Sequence, residues 1–353
     1  YKRFLDAWEQ TINDVEGQWT GDHALYNDQG VKTQMAQHGW AVPRDNTPLS
    51  QLDFTIEWDQ IDWEYATSAV SVRFFPISPY DGLIATDPRG FSFLIKTYAQ
   101  NNVNPNNILL NTRVRGIDYN ENIPSPTVGG PTYKARVKTH DGQQCTDYIA
   151  QRVITTVSAG VLNNGIIEMS PPLAYPARQY NPMQMGQYVK IFYQFGSQFW
   201  DDMEFIRVIP ADVSERGKCH HWADMNTFMP GSNIIRCDIM TETFEELLQG
   251  RRLSDEQLDA LLNPLRKVYG DAAVGTPLAV YATELHLDTN LGFGAYSHWQ
   301  IGYSFDQFAH FFGGMEDLVP YCAHNGCNEL QEWILHFSGA ATCYDQSETV
   351  HGA

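Results

Sequence analysis

Gln187-Tyr188-Val189-Lys190-Ile191-Phe192-Tyr193-Gln194-Phe195, with Phe199-Trp200 close behind, is the stretch on which the reading of the chain turns. β-branched and aromatic residues fill it and Gly186 and Gly196 bound it, which predicts a β-strand. Successive strand side chains point to opposite faces. Tyr188, Lys190 and Phe192 therefore share one face, and Val189, Ile191 and Tyr193 the other. A lysine between two aromatics, on a strand that looks covered on both sides, is costly to bury: its amine sheds its proton more readily or finds a partner. Two readings stand at this point. The strand lies at a sheet edge and the lysine reaches water along its aliphatic stem, or the amine is held desolvated for a chemical purpose.

The bulk numbers narrow the class. A chain of 353 residues suits one large or two medium domains. It is 43% hydrophobic and 18% charged, a globular composition. It has no apolar run of the roughly eighteen residues that a membrane span needs. A net charge of -19 and a pI near 4.8 argue against nucleic acid as a partner. They favour cationic small molecules, although solubility alone also accounts for them. Cys145, Cys219, Cys237, Cys322, Cys327 and Cys343 permit disulfides. The clusters Cys322 to Cys327 (with His324) and Cys219-His220-His221 match no standard zinc spacing, so disulfides or free thiols are expected and no metal. There is no signal-like apolar segment and no Asn-x-Ser/Thr acceptor, so the compartment is left open. The chain starts at Tyr1 and stops at His351-Gly352-Ala353, in the middle of an expected helix start, so a processed protein or a fragment is expected.

Along the chain, Phe4, Leu5, Trp8, Ile12 and Val15 predict an amphipathic helix over residues 1–20, and another lies around 31–38. Thr47-Pro48 starts an aromatic helix running to about residue 65, which carries Asp53, Glu57, Asp59, Asp62 and Glu64. Short strands are predicted over 70–75, 108–111 and 114–119, with a helix over 91–100. Residues 133–140 and 145–149 form a hairpin across His140-Asp141-Gly142, where Asp-Gly favours a type I′ turn. Residues 152–157 read as a buried strand, and Pro171-Pro172 marks a break. After the lysine strand come strands over 205–209, 233–240 and 278–285, and helices over 241–248 and 254–269, the second opened by a capping box at Ser254-Asp255-Glu256-Gln257. This irregular alternation predicts an α/β or α+β chain with interleaved domains.

Three stretches, in order, resemble the flavin-containing amine oxidases, with polyamine oxidases the nearest likeness and lysine-specific histone demethylases as relatives. They are Val153 to Leu162 followed by Met169-Ser170-Pro171-Pro172-Leu173, the lysine strand with Phe199-Trp200, and the tail. The tail holds Gly294-Ala295-Tyr296-Ser297-His298-Trp299, then His336 to Thr342, and Thr349-Val350-His351-Gly352-Ala353. The resemblance implies FAD as cofactor and roles for individual residues. Lys190 would hold a water at the flavin N5. Tyr188 and Tyr296 would wall the substrate tunnel. Glu64, in Asp62-Trp63-Glu64-Tyr65, would face the cationic amine, and Thr349 would stand where polyamine oxidases often carry tyrosine. Trp299 would lie beside the isoalloxazine, and the backbone at Val114 would meet the adenine. Gly339 and Ala340 would lie near the ribityl chain. Val350 and His351 would start the helix whose amides face the flavin.

The resemblance also has gaps. The Gly-x-Gly-x-x-Gly strand-turn-helix of such proteins is missing, Ala340 replaces a glutamate, and His286-Leu287 replace what is often a tryptophan pair. The implied architecture is a two-domain α/β flavin amine oxidase-like fold. Substrate-domain helices fall in 1–78, a flavin-domain segment in 79–171, the substrate-domain mixed sheet with flanking helices in 172–290, and a C-terminal flavin-domain segment in 291–353, the flavin domain lacking its N-terminal βαβ unit. The implied activity is oxidation of an amine, a polyamine first, to an imine and then an aldehyde, with O2 reduced to H2O2. The alternatives are oxidation of an L-amino acid or another amine, for which Arg73, Arg207 or Arg236 would need to sit near the flavin, and a flavin-free scaffold or binding protein.

Overall fold

The computed structural model describes residues 2–19, 31–42, 45–53, 89–170, 172, 183–240, 247–249, 251–289, 292–299 and 334–337. In chain order the helices are α1 (Lys2–Trp19), α2 (Val31–Gln37), α3 (Phe91–Asn102), α4 (Ala159–Asn163), α5 (Asp255–Ala260), α6 (Asn263–Tyr269) and α7 (Asp271–Val274). The strands begin with β1 (Arg113–Ile123), β2 (Tyr133–His140), β3 (Cys145–Ala150), β4 (Val153–Thr155), β5 (Glu168–Ser170) and β6 (Met183–Gly186). Then follow β7 (Tyr188–Gln194), β8 (Phe205–Arg207), β9 (His221–Asp224), β10 (Ile234–Met240), β11 (Ala279–Ala282), β12 (Tyr296–Trp299) and β13 (Leu335–Phe337). The chain divides into two compact units, each entered twice: residues 1–77 with 185–302, and residues 78–184 with 303–353.

The first unit is built on a five-stranded sheet in the order β11-β7-β10-β9-β8. The β7–β10, β7–β11, β9–β10 and β8–β9 pairs are all antiparallel. One face of this sheet is the main apolar core. Val189, Ile191 and Tyr193 of β7 meet Ile235, Cys237 and Ile239 of β10, Trp222 of β9 and Ile206 of β8, and Leu261, Leu262, Leu265 and Val274 pack on them. Burying a side chain of this size contributes about 1.5–3 kcal/mol. Tyr193 completes its burial by donating from its hydroxyl to the Leu258 carbonyl at 2.8 Å. Removal from water pushes the Tyr193 phenol well above its usual range, with the Asp259 charge adding to the effect. A disulfide, Cys219–Cys237, ties the segment before β9 to β10 within the same core. In the N-terminal part, Phe4, Ala7, Val31, Met35 and Trp40 bury a second cluster between α1 and α2. The helix that begins after Thr47 is anchored to the β8–β9 connection, where the buried Arg216 donates to Ser50 Oγ and to the Asp45 carbonyl, both at 2.8 Å.

The second unit holds a four-stranded sheet, β3-β2-β1-β5, antiparallel except for the parallel β1–β5 edge, and a parallel β4–β13 pair.

Several expectations need correction. Residues 108–111 form no strand: Asn111 turns through a positive φ of 56° and leaves Leu110 78% exposed. The Asp141-Gly142 loop is not a two-residue type I′ turn, which needs positive φ at both centres. Only Gly142 has it (97°), and the Asp141 carboxylate instead accepts from the amides of Gln143 and Gln144 in a four-residue loop. The strand over 152–157 shortens to β4 and leaves Ile154 69% exposed. The helix over 254–269 keeps its Ser254/Gln257 capping box but breaks into α5 and α6, because Pro264 cannot sit in a helix interior. The strands over 205–209 and 278–285 shorten to β8 and β11. The strand expected over 70–75 lies outside the described residues.

Candidate active site

The lysine strand is not an edge strand. β7 lies between β11 and β10 and is hydrogen-bonded on both sides, which removes the edge reading of Lys190. Register assigns its faces. Because Arg236 pairs with Phe192, Asp238 with Lys190, Ala223 with Arg236 and Arg207 with His221, one face carries Tyr188, Lys190, Phe192, Arg236, Asp238, His221 and Arg207. The opposite face is the closed apolar core. Lys190 thus stands, half-buried, on the polar and aromatic side of a sheet whose other side is sealed.

The local geometry is specific. The Lys190 amine lies 5.4 Å above the centre of the buried Tyr188 ring, a cation–π contact. Its backbone N–H donates to Thr283 Oγ1 and its carbonyl accepts from the Thr283 amide, both at 2.9 Å, so its backbone groups point towards β11. Phe192 packs on Tyr281 with ring centres 6.2 Å apart. Asp238 is 2% exposed, and its Oδ2 accepts from Arg236 Nη2 at 2.9 Å and lies 3.8 Å from His221 Nδ1. The His221 ring stacks on Phe205 at 5.3 Å. Next to it, burial lowers the His220 imidazole to a pKa of about 3, with His221 and Arg207 adding to the effect.

The segment bearing Tyr296 and Trp299 reaches the same neighbourhood through its backbone. Ala295 N donates to the Gly186 carbonyl at 2.8 Å, and Gln187 Nε2 to the Phe293 carbonyl at 3.4 Å. Gly294 makes this approach: at a φ of 151°, a Cβ there would fall 2.6 Å from Met185 Cβ. The structure therefore brings the backbone ahead of Tyr188 and Lys190 beside the backbone ahead of Tyr296 and Trp299. Val114 lies half-buried in β1 of the second unit, where a register shift before Gly116 makes Arg115 a bulge. Glu64, Gly339, Ala340, Thr349, Val350 and His351 lie outside the described residues. His286 forms part of a short 3-10 turn and its Nε2 lies 3.1 Å from the Arg251 carbonyl. Among the described residues no group of His, Cys, Asp and Glu is arranged to hold a metal, and no helix is long and apolar enough to cross a membrane.

Sequence reasoning missed the company Lys190 keeps on its face. Arg236 and Asp238, two apart in the apolar run Ile234-Ile235-Arg236-Cys237-Asp238-Ile239, were the available signal: two charges sharing one face of a strand.

The chain and its fold have counterparts among known proteins. The sequence model described as flavin containing amine oxidoreductase matches residues 14–353. The chain belongs to that family, whose cofactor is a flavin. Polyamine oxidase 1 of Zea mays is 27% identical over 284 residues, 74% of this chain and 53% of that protein. Lysine-specific histone demethylase 1 homolog 3 of Arabidopsis thaliana is 25% identical over 266 residues, 75% of this chain and 15% of that protein. The chain thus spans about half the length of the first and less than a fifth of the second. In fold, the chain is similar to cyclohexylamine oxidase from Brevibacterium oxydans (TM-score 0.62, 16% identity, 99% of this chain and 71% of that one). It is also similar to a triple mutant of putrescine oxidase (TM-score 0.67, 15% identity, 99% and 72%).

The chemistry of the Lys190 side is compatible with a redox cofactor. An amine on an internal strand, backed by a sealed core and set over an aromatic ring, is positioned and partly desolvated at once, as a group that serves a redox cofactor must be.

Proposed function

We infer that this chain serves FAD-dependent oxidation of an amine, a polyamine first, to an imine that hydrolyses to an aldehyde, with O2 as the final electron acceptor and H2O2 as product. FAD, when bound, supplies the two-electron acceptor for the C–H bond next to the amine nitrogen. The remaining work belongs to side chains. Lys190 holds and polarises a water where that chemistry takes place, as a half-buried amine can. Tyr188 fixes the direction of the Lys190 amine, and with Tyr296 it walls the substrate's path. Glu64 and the position of Thr349 receive the substrate cation, a carboxylate being the natural partner of an alkylammonium. Trp299, Gly339, Ala340, Val350, His351 and the backbone at Val114 hold the cofactor. The first unit takes the substrate role and the second the flavin role. The net charge of -19 raises the local concentration of a cationic substrate.

The observation that carries this reading is Lys190 itself, internal in the sheet, half-buried and on the polar and aromatic face, in a family of flavin-containing amine oxidoreductases. Lys190→Met in the full-length protein tests it. Rapid-mixing kinetics are expected to show reoxidation of the reduced flavin by O2 slowed by at least about tenfold. Unchanged reoxidation would remove the role.

One observation favours a second reading, an amine that also carries a carboxylate. Arg236 stands diagonal to Lys190 on the same face, where it could meet a substrate anion. Its guanidinium is engaged by Asp238 at 2.9 Å, which keeps the polyamine reading ahead. Turnover of L-amino acids in preference to spermidine would reverse that order.

A further inference from the structure

We propose that the outward apolar stripe of α3, continued by the apolar residues 108–110, is the seat of a further segment of the full-length protein, one that lies outside these 353 residues and completes the second unit. Phe91, Leu94, Ile95 and Tyr98 recur at the i, i+3, i+4, i+7 spacing that marks the buried stripe of an amphipathic helix. Here the stripe faces outward: these four are between 57% and 68% exposed, and no residue of α3 is buried. Ile108, Leu109 and Leu110 extend the exposed apolar surface beyond the helix.

Local forces do not account for α3. A helix of 12 residues is marginal in water by itself. Gly90 gives it no side-chain cap, its first turn carries no acid and its last turn no base. Helices in proteins draw most of their stability from the packing of an apolar face, and that face of α3 is exposed. The rest of the second unit agrees. Both apolar clusters of the described residues lie in the first unit. β4 and β13 pair in parallel as a sheet of two among the described residues, whereas parallel strands belong in larger sheets covered on both faces. Ile154 of β4 stays exposed.

The occupant is argued from chain length and charge. This chain covers 71% of cyclohexylamine oxidase and 72% of the putrescine oxidase mutant, so more than a quarter of either fold has no counterpart in it. A segment of that size can bring what the second unit lacks: strands beside the β4–β13 pair and an apolar face for α3. A second copy fits less well, because two chains of net charge -19 repel, and the same charge opposes an anionic lipid surface.

A photo-crosslinker tests this in the full-length protein. p-Benzoylphenylalanine is placed at Tyr98, on the stripe, in a mixture of isotope-labelled and unlabelled protein, and the joined peptides are read by mass spectrometry after irradiation. The expected product joins position 98 to a peptide outside these 353 residues, within one copy. In the same protein the α3 amides are expected to exchange with solvent at least about tenfold more slowly than those of an unstructured peptide. Joining to a peptide within the 353 residues, or between a labelled and an unlabelled copy, would overturn the proposal. So would a reading frame that encodes nothing further, or α3 amides that exchange at the unstructured rate. Phe91 serves as the probe position if the Tyr98 variant does not fold. Neither readout depends on turnover. The expected crosslink in a protein that takes up no flavin would keep this inference and remove the activity proposed above. A flavin bleached by amine, with crosslinks confined to the 353 residues, would do the reverse.

Discussion

Acid should unfold this protein in part through one histidine. His220 is 2% exposed, beside the buried Cys219–Cys237 disulfide. Burial, with the neighbouring His221 and Arg207, takes its imidazole from the usual 6.5 to a pKa of about 3. The folded-state value lies below the unfolded one, so the unfolded chain takes up the proton first. The contribution of a neutral His220 is complete above about pH 6.5 and is lost as the pH falls towards 3. At pH 5, some 1.5 units below the unfolded value, one proton at about 1.4 kcal/mol per unit amounts to roughly 2 kcal/mol. The assay is urea unfolding at pH 7.5 and pH 5.0 for the wild type and for His220→Phe, which keeps ring shape and removes the titration. Other titrating groups are common to both proteins and cancel in the difference. The wild type is expected to lose about 2 kcal/mol more than the variant between the two pH values. Equal losses would refute the claim that His220 is held neutral by burial, and His220→Gln provides the same comparison if the phenylalanine does not fit.

Replacing both Cys219 and Cys237 by serine opens a loop with a sequence separation of 18 and should cost about 3 kcal/mol, seen as a lower denaturant midpoint with little change in slope. Trp222→Ala removes a fully buried indole from the core face of β9 and should cost about 3–5 kcal/mol in the same experiment. Ser254→Ala removes one half of the capping box at the start of α5 and should cost about 1 kcal/mol, with no change in any flavin spectrum.

Much of the fold could be read from the sequence because local pattern and tertiary packing agree there. β7 has the composition and alternation of a strand, α1 the three-to-four spacing of an amphipathic helix, and Ser254 with Gln257 a capping box that the structure forms in full. Pattern failed where it was short or interrupted. His221-Trp222-Ala223-Asp224 went unread as a strand, because its polar ends hide a segment that is buried at all four positions. Ile108 to Leu110 looked like a strand but has no partner strand among the described residues. The site divides the same way. Lys190 was legible as an anomaly: a charge in an apolar run. That it sits inside a sheet, and that it faces Asp238 at 48 positions' separation, depends on register, which no local pattern specifies.

The visible absorption spectrum of the full-length protein, purified from its complete reading frame, tests the central claim most directly. Oxidised-flavin bands that bleach on anaerobic addition of spermidine and return with air are the predicted result. A protein that stays colourless after incubation with FAD would contradict the assignment of amine oxidation and leave the fold without its cofactor.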